Sequence, residues 1–247
     1  MITLSQLYQT LAQGNYIYTQ NYDRNLFLLE SYLGGDAYRQ GNYLTRYQLE
    51  SDTQYSARLA ATPLDNHCRS VINVYNSFLF RNEPDRDFGS LANEPMLKSF
   101  LDDADLEGRS LDAVMKELST WVSVFGSSWI IMSKPNVNAQ TMADEINAGV
   151  RPYVSILTPL VVLDWTYQRT ATGYYELTYF KYVEDVNDQI QTIIEWTPET
   201  ITTSEVNKKK KEAISQVSVP NGLGKIPVVI AYNQRSTVRG LGISDID

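Results

Sequence analysis

The residue types that usually carry catalysis are scarce in this sequence. It holds one histidine, His67, and one cysteine, Cys68. A Ser-His-Asp or Cys-His arrangement has to use that histidine, yet the two residues are sequence neighbours on a predicted helix, where positions i and i+1 do not face each other. A zinc site needs several His or Cys ligands. We therefore predict no catalytic residue, no metal site and no cofactor. The single cysteine also excludes an internal disulfide and fits a reducing compartment.

Two stretches have the composition of ligand-binding loops but not the spacing. In "DDADLEGRSLDAV" the acids Asp103, Asp105 and Glu107 alternate as they do in a calcium loop. The twelfth position, which should hold a bidentate Glu, is Val114. "NGLGK", at 221–225, lacks the Gly-x-x-x-x-Gly-Lys-Ser/Thr spacing of a phosphate loop. We interpret the first stretch as a solvated link between helices and the second as a hairpin loop.

A run of four lysines carries the densest positive charge in the chain: Lys208, Lys209, Lys210 and Lys211. It lies between two predicted strands, and we interpret it as a solvated hairpin tip, with a weak anion or phosphate contact as the alternative. The whole chain has a net charge of −8 and a pI near 4.8. Because phosphate binding needs a basic face, these values argue against a whole-surface nucleic-acid binder. They allow a protein past which DNA slides without adhering.

The composition is typical of a soluble globular protein, with 43% hydrophobic and 20% charged residues in a chain of 247. That length suits one large domain or two small ones. No run approaches the roughly 18 apolar residues of a membrane span, and the N-terminus does not resemble a signal peptide. We therefore expect no membrane partner.

The clearest helical pattern begins where Thr62 can cap a helix and Pro63 can occupy its first position. An apolar stripe with helical spacing follows. Its members are Leu64, Cys68, Val71, Ile72, Tyr75, Phe78 and Leu79.

Further helices are predicted on both sides of this one. Ser110 caps a second amphipathic helix that ends at Gly126, and a buried strand follows. Shorter helices are predicted at about 2–13, 23–33 and 139–148.

From Arg151 the apolar period changes to two, and turn signals separate strands at intervals of about 10–14 residues, as in an antiparallel meander. Helices followed by strands predict an α+β fold, with N-terminal helices followed by an antiparallel β-meander. We divide the chain into 1–60, which is rich in tyrosine, then 61–150, which is helical, then 151–238, which is β-rich, and a junction at 239–247.

Five segments, taken in order, resemble the portal proteins of tailed bacteriophages. They are "GGDAYRQGNYLTRYQLE", "YSARLAATPLDNHCRSVINVYNSFLFRNEP", "GSSWIIMSKP", "RPYVSILTPLVVLDW" and "GKIPVVIAYNQRSTVRGLGISDI". Together they run from Gly34 to the end of the sequence, and their order and spacing carry the resemblance.

The resemblance implies a non-catalytic structural subunit of a ring, typically a dodecamer, at one vertex of the capsid. The ring forms the channel for packaging and ejection of double-stranded DNA, which passes without sequence specificity. The implied partners are further copies of the chain, the major capsid protein, the terminase large subunit and tail adaptor proteins. The implied location is the virion, after assembly in the host cytoplasm. The alternative is another phage virion or assembly protein that acts as a non-catalytic binding module.

Within that resemblance the chain is similar to the outer wing of a portal subunit. Nine of the 17 tyrosines lie before residue 56, and tyrosine suits contact surfaces, although ordinary packing is the alternative. We predict a subunit interface at Tyr38, Arg39, Tyr43 and Tyr47. We predict a hinge towards a following stem helix at Gly240 and Gly242, with Ser244 or Asp245 as the helix cap.

Overall fold

Helices make up the N-terminal part of the chain and strands most of the C-terminal part. The computed structural model describes residues 3–41, 43–62, 65–135, 141, 144, 148–185 and 187–247. In these ranges the helices are α1 Leu4–Ala12, α2 Tyr16–Leu33, α3 Gly35–Gln40, α4 Asp52–Ala61, α5 His67–Leu79, α6 Pro95–Asp102 and α7 Leu111–Phe125, with a 3-10 helix at Gly89–Asn93. The short helix predicted over 139–148 falls mostly outside the described residues.

The strands form one large and two small antiparallel sheets. They are β1 Ser127–Ser133, β2 Tyr153–Leu157, β3 Val162–Arg169, β4 Tyr175–Asp185, β5 Ile190–Trp196, β6 Thr200–Asn207, β7 Glu212–Pro220, β8 Val228–Tyr232, β9 Gln234–Arg235 and β10 Gly242–Ile243. The large sheet is a meander in the order β3-β4-β5-β6-β7. The predicted α+β class, with helices first and a strand-rich region after them, is confirmed.

A three-stranded sheet joins segments that are distant in the sequence. Its order is β2-β1-β8, so Trp129 lies opposite Leu157 on one side and Ile230 on the other. Strand β1 belongs to the predicted helical part 61–150, whereas β2 and β8 belong to the predicted β-rich part 151–238. Those two parts therefore share one sheet and one core.

Helix α7 begins and ends where the sequence predicts. Ser110 accepts a hydrogen bond from the main-chain N–H of Ala113 at 3.3 Å. Gly126 ends the helix in the left-handed conformation, with a φ of 82°, which glycine adopts without a steric penalty. The buried face includes Val114, Leu118 and other apolar residues. Strand β1 follows directly, so this helix positions the central strand of the three-stranded sheet.

The predicted start of helix α5 is wrong. Thr62 terminates α4 instead, because its main-chain N–H donates to the carbonyl of Arg58 at 2.9 Å. A capping box at Ser51 starts α4, which runs to Ala61 and leaves Thr62 as its C-cap. The helical conformation is also disfavoured for Thr62 because a proline follows it. Asn66 caps α5 by accepting from the N–H of Arg69 at 3.0 Å. Pro63 and Leu64 lie outside the described residues.

The apolar stripe of α5 is only partly used in the core. Ile72 is buried against Leu28 of α2 and Val124 of α7. The polar Asn76 is also buried, where it donates to the hydroxyl of Thr120 at 2.7 Å. Cys68 is partly buried, and the other described members of the stripe are exposed: Val71, Tyr75, Phe78 and Leu79.

The largest core cluster lies between the two main sheets and is built on aromatic residues. The ring of Trp129 lies 5.2 Å from that of Phe180 and 5.4 Å from that of Trp165. Burying a side chain of this kind stabilises the fold by roughly 2–3 kcal/mol. On the other side of the meander, Leu11 of α1 packs against Val206 and Ala213. Helix α1 is thereby held against the large sheet.

Candidate functional site

The four residues predicted as a subunit interface line one cleft. Tyr38, Arg39, Tyr43 and Tyr47 surround a volume of about 300 Å³, together with residues of α4. They come from α3 and the loop that follows it, while α4 closes the opposite wall through Arg58. The structure therefore brings these residues together, and their contact with another subunit stays a prediction.

Packed aromatic rings form one wall of the cleft. The ring of Tyr43 lies 5.1 Å from that of Tyr38 and 4.7 Å from that of Phe27, the latter edge to face. The Tyr43 hydroxyl donates to the carboxylate of Glu30. Burial and then this hydrogen bond raise the pKa of Tyr43 to about 12. Tyr43 therefore stays neutral at physiological pH and acts as a fixed support rather than as an acid or base.

An arginine with several partners braces the other wall. Arg58 donates two hydrogen bonds to the carboxylate of Glu50, at 2.8 and 2.7 Å, and a third to the carbonyl of Thr45 at 2.8 Å. Its guanidinium also stacks 4.4 Å from the centre of the Tyr47 ring. The hydrogen bonds from Arg58 are the main reason that the pKa of Glu50 falls to about 2. The charge of Arg58 is thus neutralised within the wall.

Arg39 is the second guanidinium of the cleft and has fewer partners. One terminal nitrogen donates to the carbonyl of Thr62 at 3.3 Å. Its Nε is buried and has no hydrogen-bond partner among the residues that the structure describes. The cleft therefore offers aromatic surface and one positive charge that no described carboxylate neutralises. Such a set suits recognition of another surface rather than bond cleavage.

The predicted junction is tied to the end of helix α7. Ser244 is buried, and its hydroxyl donates to the carbonyl of Val124 at 2.7 Å, with the Ser123 carbonyl 3.2 Å away as a second, weaker acceptor. The main-chain N–H of Asp245 also donates to the Ser123 carbonyl, at 3.0 Å. The last carbonyls of a helix have no partner within it, so this segment supplies the missing donors. Ser244 also accepts from the N–H of Ile246 at 3.1 Å, an arrangement like that of a helix cap.

The two glycines of the predicted hinge are packed tightly against neighbouring parts of the chain. A Cβ added to Gly242 would lie 1.8 Å from the carbonyl oxygen of Gly126. Gly240 has a φ of 96°, and a Cβ there would lie 2.3 Å from Nε1 of Trp165. Close approach of backbone and ring therefore explains both glycines. A hinge motion at this point stays a prediction.

The lysine run lies at the turn between β6 and β7, as the sequence predicts. Asn207 organises the turn by accepting from the main-chain N–H groups of Lys209 and Lys210, at 3.1 and 2.8 Å. Lys211 has a positive φ of 55° and closes the turn. The side chains of Lys209, Lys210 and Lys211 are exposed. An anion contact at this tip stays a prediction.

The residues that could have suggested catalysis or metal binding have other partners. His67 is exposed and pairs with Asp65 at 3.3 Å. Asp105 accepts from the main-chain N–H of Glu107 at 2.9 Å and pairs with Arg109. Among the described residues no group of three or more His, Cys, Asp or Glu side chains is placed to hold a metal ion.

The sequence did not predict a second surface, which is formed by arginine and tyrosine side chains. Three arginines and three tyrosines are stacked where the β3–β4 hairpin meets the segment after β8. We call this set the arginine–tyrosine ladder, and its members are Arg169, Tyr175, Arg239, Tyr167, Tyr232 and Arg235. They come from separate stretches of the chain, so no local pattern marks them.

Within the described ranges, no helix combines the length and the apolar character that crossing a bilayer requires. Comparisons of the sequence with models of known protein families and with curated proteins gave no match.

Proposed function

We propose that this chain is a structural subunit of a phage portal ring, the capsid-vertex assembly through which double-stranded DNA is packaged and ejected. In this role it contacts further copies of itself, the major capsid protein, the terminase large subunit and tail adaptor proteins, and it performs no catalysis. The proposal rests on the ordered resemblance of five sequence segments. The structural features below support it.

The observation that carries the proposal is that segments of the resemblance which are distant in the sequence meet in one structural unit. "GSSWIIMSKP" supplies β1, which pairs with β2 from the fourth segment and with β8 from the fifth. The close contact between Gly126 and Gly242 joins the third segment to the fifth a second time.

The chain also carries two chemically different surfaces suited to contact between subunits. One is the aromatic cleft, whose Arg39 has no ion pair among the described residues. The other is the exposed face of α5, where the side chains of Tyr75, Phe78 and Leu79 are between 66% and 69% exposed. Exposed apolar patches of this kind mark sites of protein contact. A ring needs two unlike faces on each subunit, because its contacts run head to tail.

The test is the assembly state of the full-length gene product, purified under native conditions. We expect closed rings with a central hole in negative-stain electron microscopy, and a mass in analytical ultracentrifugation that is a fixed multiple of the subunit mass. Monodisperse monomers at high protein concentration would count decisively against the proposal, and so would aggregates with no fixed size.

The proposed role as a DNA channel is tested separately, by measuring DNA binding. Rings should fail to retain double-stranded DNA of any sequence at physiological salt, because the chain is acidic overall. Tight sequence-specific DNA binding by the same preparation would contradict a passive channel.

A further inference from the structure

The arginine–tyrosine ladder consists of two stacked groups, one of Arg169, Tyr175, Arg239 and Tyr167, the other of Arg235 and Tyr232. The guanidinium carbon of Arg239 lies 3.8 Å from the centre of the Tyr175 ring and 5.2 Å from that of Tyr167. Arg169 lies 4.6 Å from the Tyr175 ring, and Arg235 lies 5.3 Å from the ring of Tyr232. All three arginines are exposed. Stacking on tyrosine holds the guanidinium groups at the surface, where N–H groups that are not bonded within the chain can reach water or a ligand.

Within the described residues, no ion pair neutralises the positive charge of the ladder. Most described ion pairs use other arginines, and none of them includes Arg169, Arg235 or Arg239. Hydrogen bonding with Arg169, with a further contribution from Arg239, holds the pKa of Tyr175 below its ordinary value. Three cationic groups are thus concentrated on one surface of a chain whose net charge is −8.

The fold does not need the Arg239 guanidinium to hold its loop in place. The loop is anchored through its backbone, because Nε1 of Trp165 donates to the Arg239 carbonyl at 3.2 Å. The next N–H, that of Gly240, donates to the hydroxyl of Tyr232 at 3.0 Å. The side-chain charge is therefore available for an interaction outside the chain.

We propose that the arginine–tyrosine ladder docks an acidic polypeptide segment of a partner protein. Guanidinium edges bind carboxylates in a bidentate manner. Arginine and tyrosine are also the residues that contribute most to protein interfaces. The partner is defined by its chemistry, as a segment with several Asp or Glu side chains spaced to reach more than one arginine. This inference does not depend on the ring proposal.

Two features favour a polypeptide over nucleic acid. Single-stranded nucleic acid binds by stacking its bases on exposed aromatic faces, whereas arginines lie over tyrosine faces in the ladder. A nucleic acid also extends beyond the patch, and the screening length is only about 8–10 Å at physiological salt. Its outer phosphates would therefore lie over other parts of a chain whose net charge is −8. A short acidic segment confines its charge to the ladder.

The experiment measures binding of a short fluorescein-labelled peptide of alternating Glu and Gly to the 247-residue chain by fluorescence anisotropy. We expect binding that weakens as salt is raised, and no binding of the matching Gln-Gly peptide. Arg239→Gln should weaken binding by about tenfold or more, since a hydrogen bond to a charged group is lost. Arg239→Lys should be intermediate, because it keeps the charge but not the planar fork.

Lys209→Gln is the matched control, because it removes one exposed positive charge at the β6–β7 turn. It should change peptide binding less than twofold. Arg169→Gln gives an independent second variant at the other side of Tyr175, and circular dichroism checks that each variant is folded. Equal binding of the Gln-Gly peptide, equal loss in Lys209→Gln, or no binding at all overturns the proposal.

Two additional arms test the other occupants. Labelled single-stranded and duplex DNA should bind more weakly than the acidic peptide; tighter binding that depends on Arg169 and Arg239 assigns the ladder to nucleic acid and overturns the proposal. Assembly of the chain itself should be unchanged in Arg239→Gln. If that variant dissociates an oligomer, the ladder contacts a second copy, and the proposal of a separate partner fails. Loss of peptide binding with intact rings separates this inference from the ring proposal.

Discussion

The hydroxyl of Ser244 donates a hydrogen bond of 2.7 Å to the main-chain carbonyl of Val124, 120 residues earlier in the chain. Val124 is in the last turn of α7, where carbonyls lack partners within the helix. The same helix leads directly into β1, the central strand of the three-stranded sheet. The segment at 242–245 is therefore a structural clamp on the point where helix and sheet meet.

Replacing Ser244 with Ala should destabilise the fold. The change leaves the Val124 carbonyl without its donor in a buried setting, which costs about 1–3 kcal/mol. Urea unfolding followed by circular dichroism measures the loss. Ser77→Ala is the control, because Ser77 is exposed and its hydroxyl bonds only to Asn73 within its own helix; its free energy of unfolding should change by less than about 0.5 kcal/mol. Equal effects of the two changes would show that Ser244 is not a clamp.

Gly242→Ala should be more harmful. The new methyl group would meet the backbone of Gly126 at 1.8 Å, and a backbone atom cannot move aside as a flexible side chain can. We expect a loss of about 3 kcal/mol in the free energy of unfolding, from forced backbone displacement. Gly222→Ala is a matched control, because nothing lies within 4 Å of a Cβ there, and it should leave the melting temperature nearly unchanged. A stable Gly242→Ala variant would mean that the junction yields easily, as a hinge does.

The Glu50–Arg58 pair should give the cleft a sensitivity to acid. Because the folded pKa of Glu50, about 2, is below its ordinary value of 4.5, its contribution is complete above pH 4.5 and is lost as the pH falls towards 2. Glu50→Gln should therefore flatten the pH dependence of stability in that interval. Above it, the slope of stability against pH should be the same in both proteins. Thermal unfolding across pH 2–6 measures this. Glu176→Gln, at an exposed carboxylate outside the described ion pairs, should not flatten the curve.

Local sequence signals predicted most helices and strands. The pairing of β8 with β1 depends on contacts between distant parts of the chain, and the start of α5 depends on the helix before it; neither was predicted. Ser110 and Gly126 mark both ends of α7 because capping is chemistry within a few residues. Strand β8 forms where an apolar strand is predicted, but none of its residues is fully buried, and Val229 is 65% exposed. Its pairing with β1 depends on the fold as a whole, since an apolar strand can pair with several partners. The start of α5 was also decided by a neighbouring element, because α4 extends to Ala61 and Thr62 caps its C-terminus.

The candidate surfaces show the same division. Tyr38, Arg39, Tyr43 and Tyr47 lie within ten residues of one another, so a local cluster of tyrosine indicated their cleft. The arginine–tyrosine ladder unites Arg169 with Arg239 across 70 residues, and only the docking of the loop at Arg239 on β3 and β4 brings them together. Composition alone gives no sign of it.

Phe78→Ser should weaken assembly without weakening the fold. The Phe78 side chain is 69% exposed on α5, so removing it exposes no core. If a neighbouring subunit covers it, the loss is about 1–3 kcal/mol per contact, the value of burying a large apolar side chain. Sedimentation velocity should show a shift from rings to smaller species at a given concentration, with an unchanged melting temperature. Leu223→Ser is the matched control, because Leu223 is 60% exposed in a loop outside α5; it should leave the rings intact. Rings that persist in Phe78→Ser, or that are lost equally in Leu223→Ser, would remove α5 from the interface.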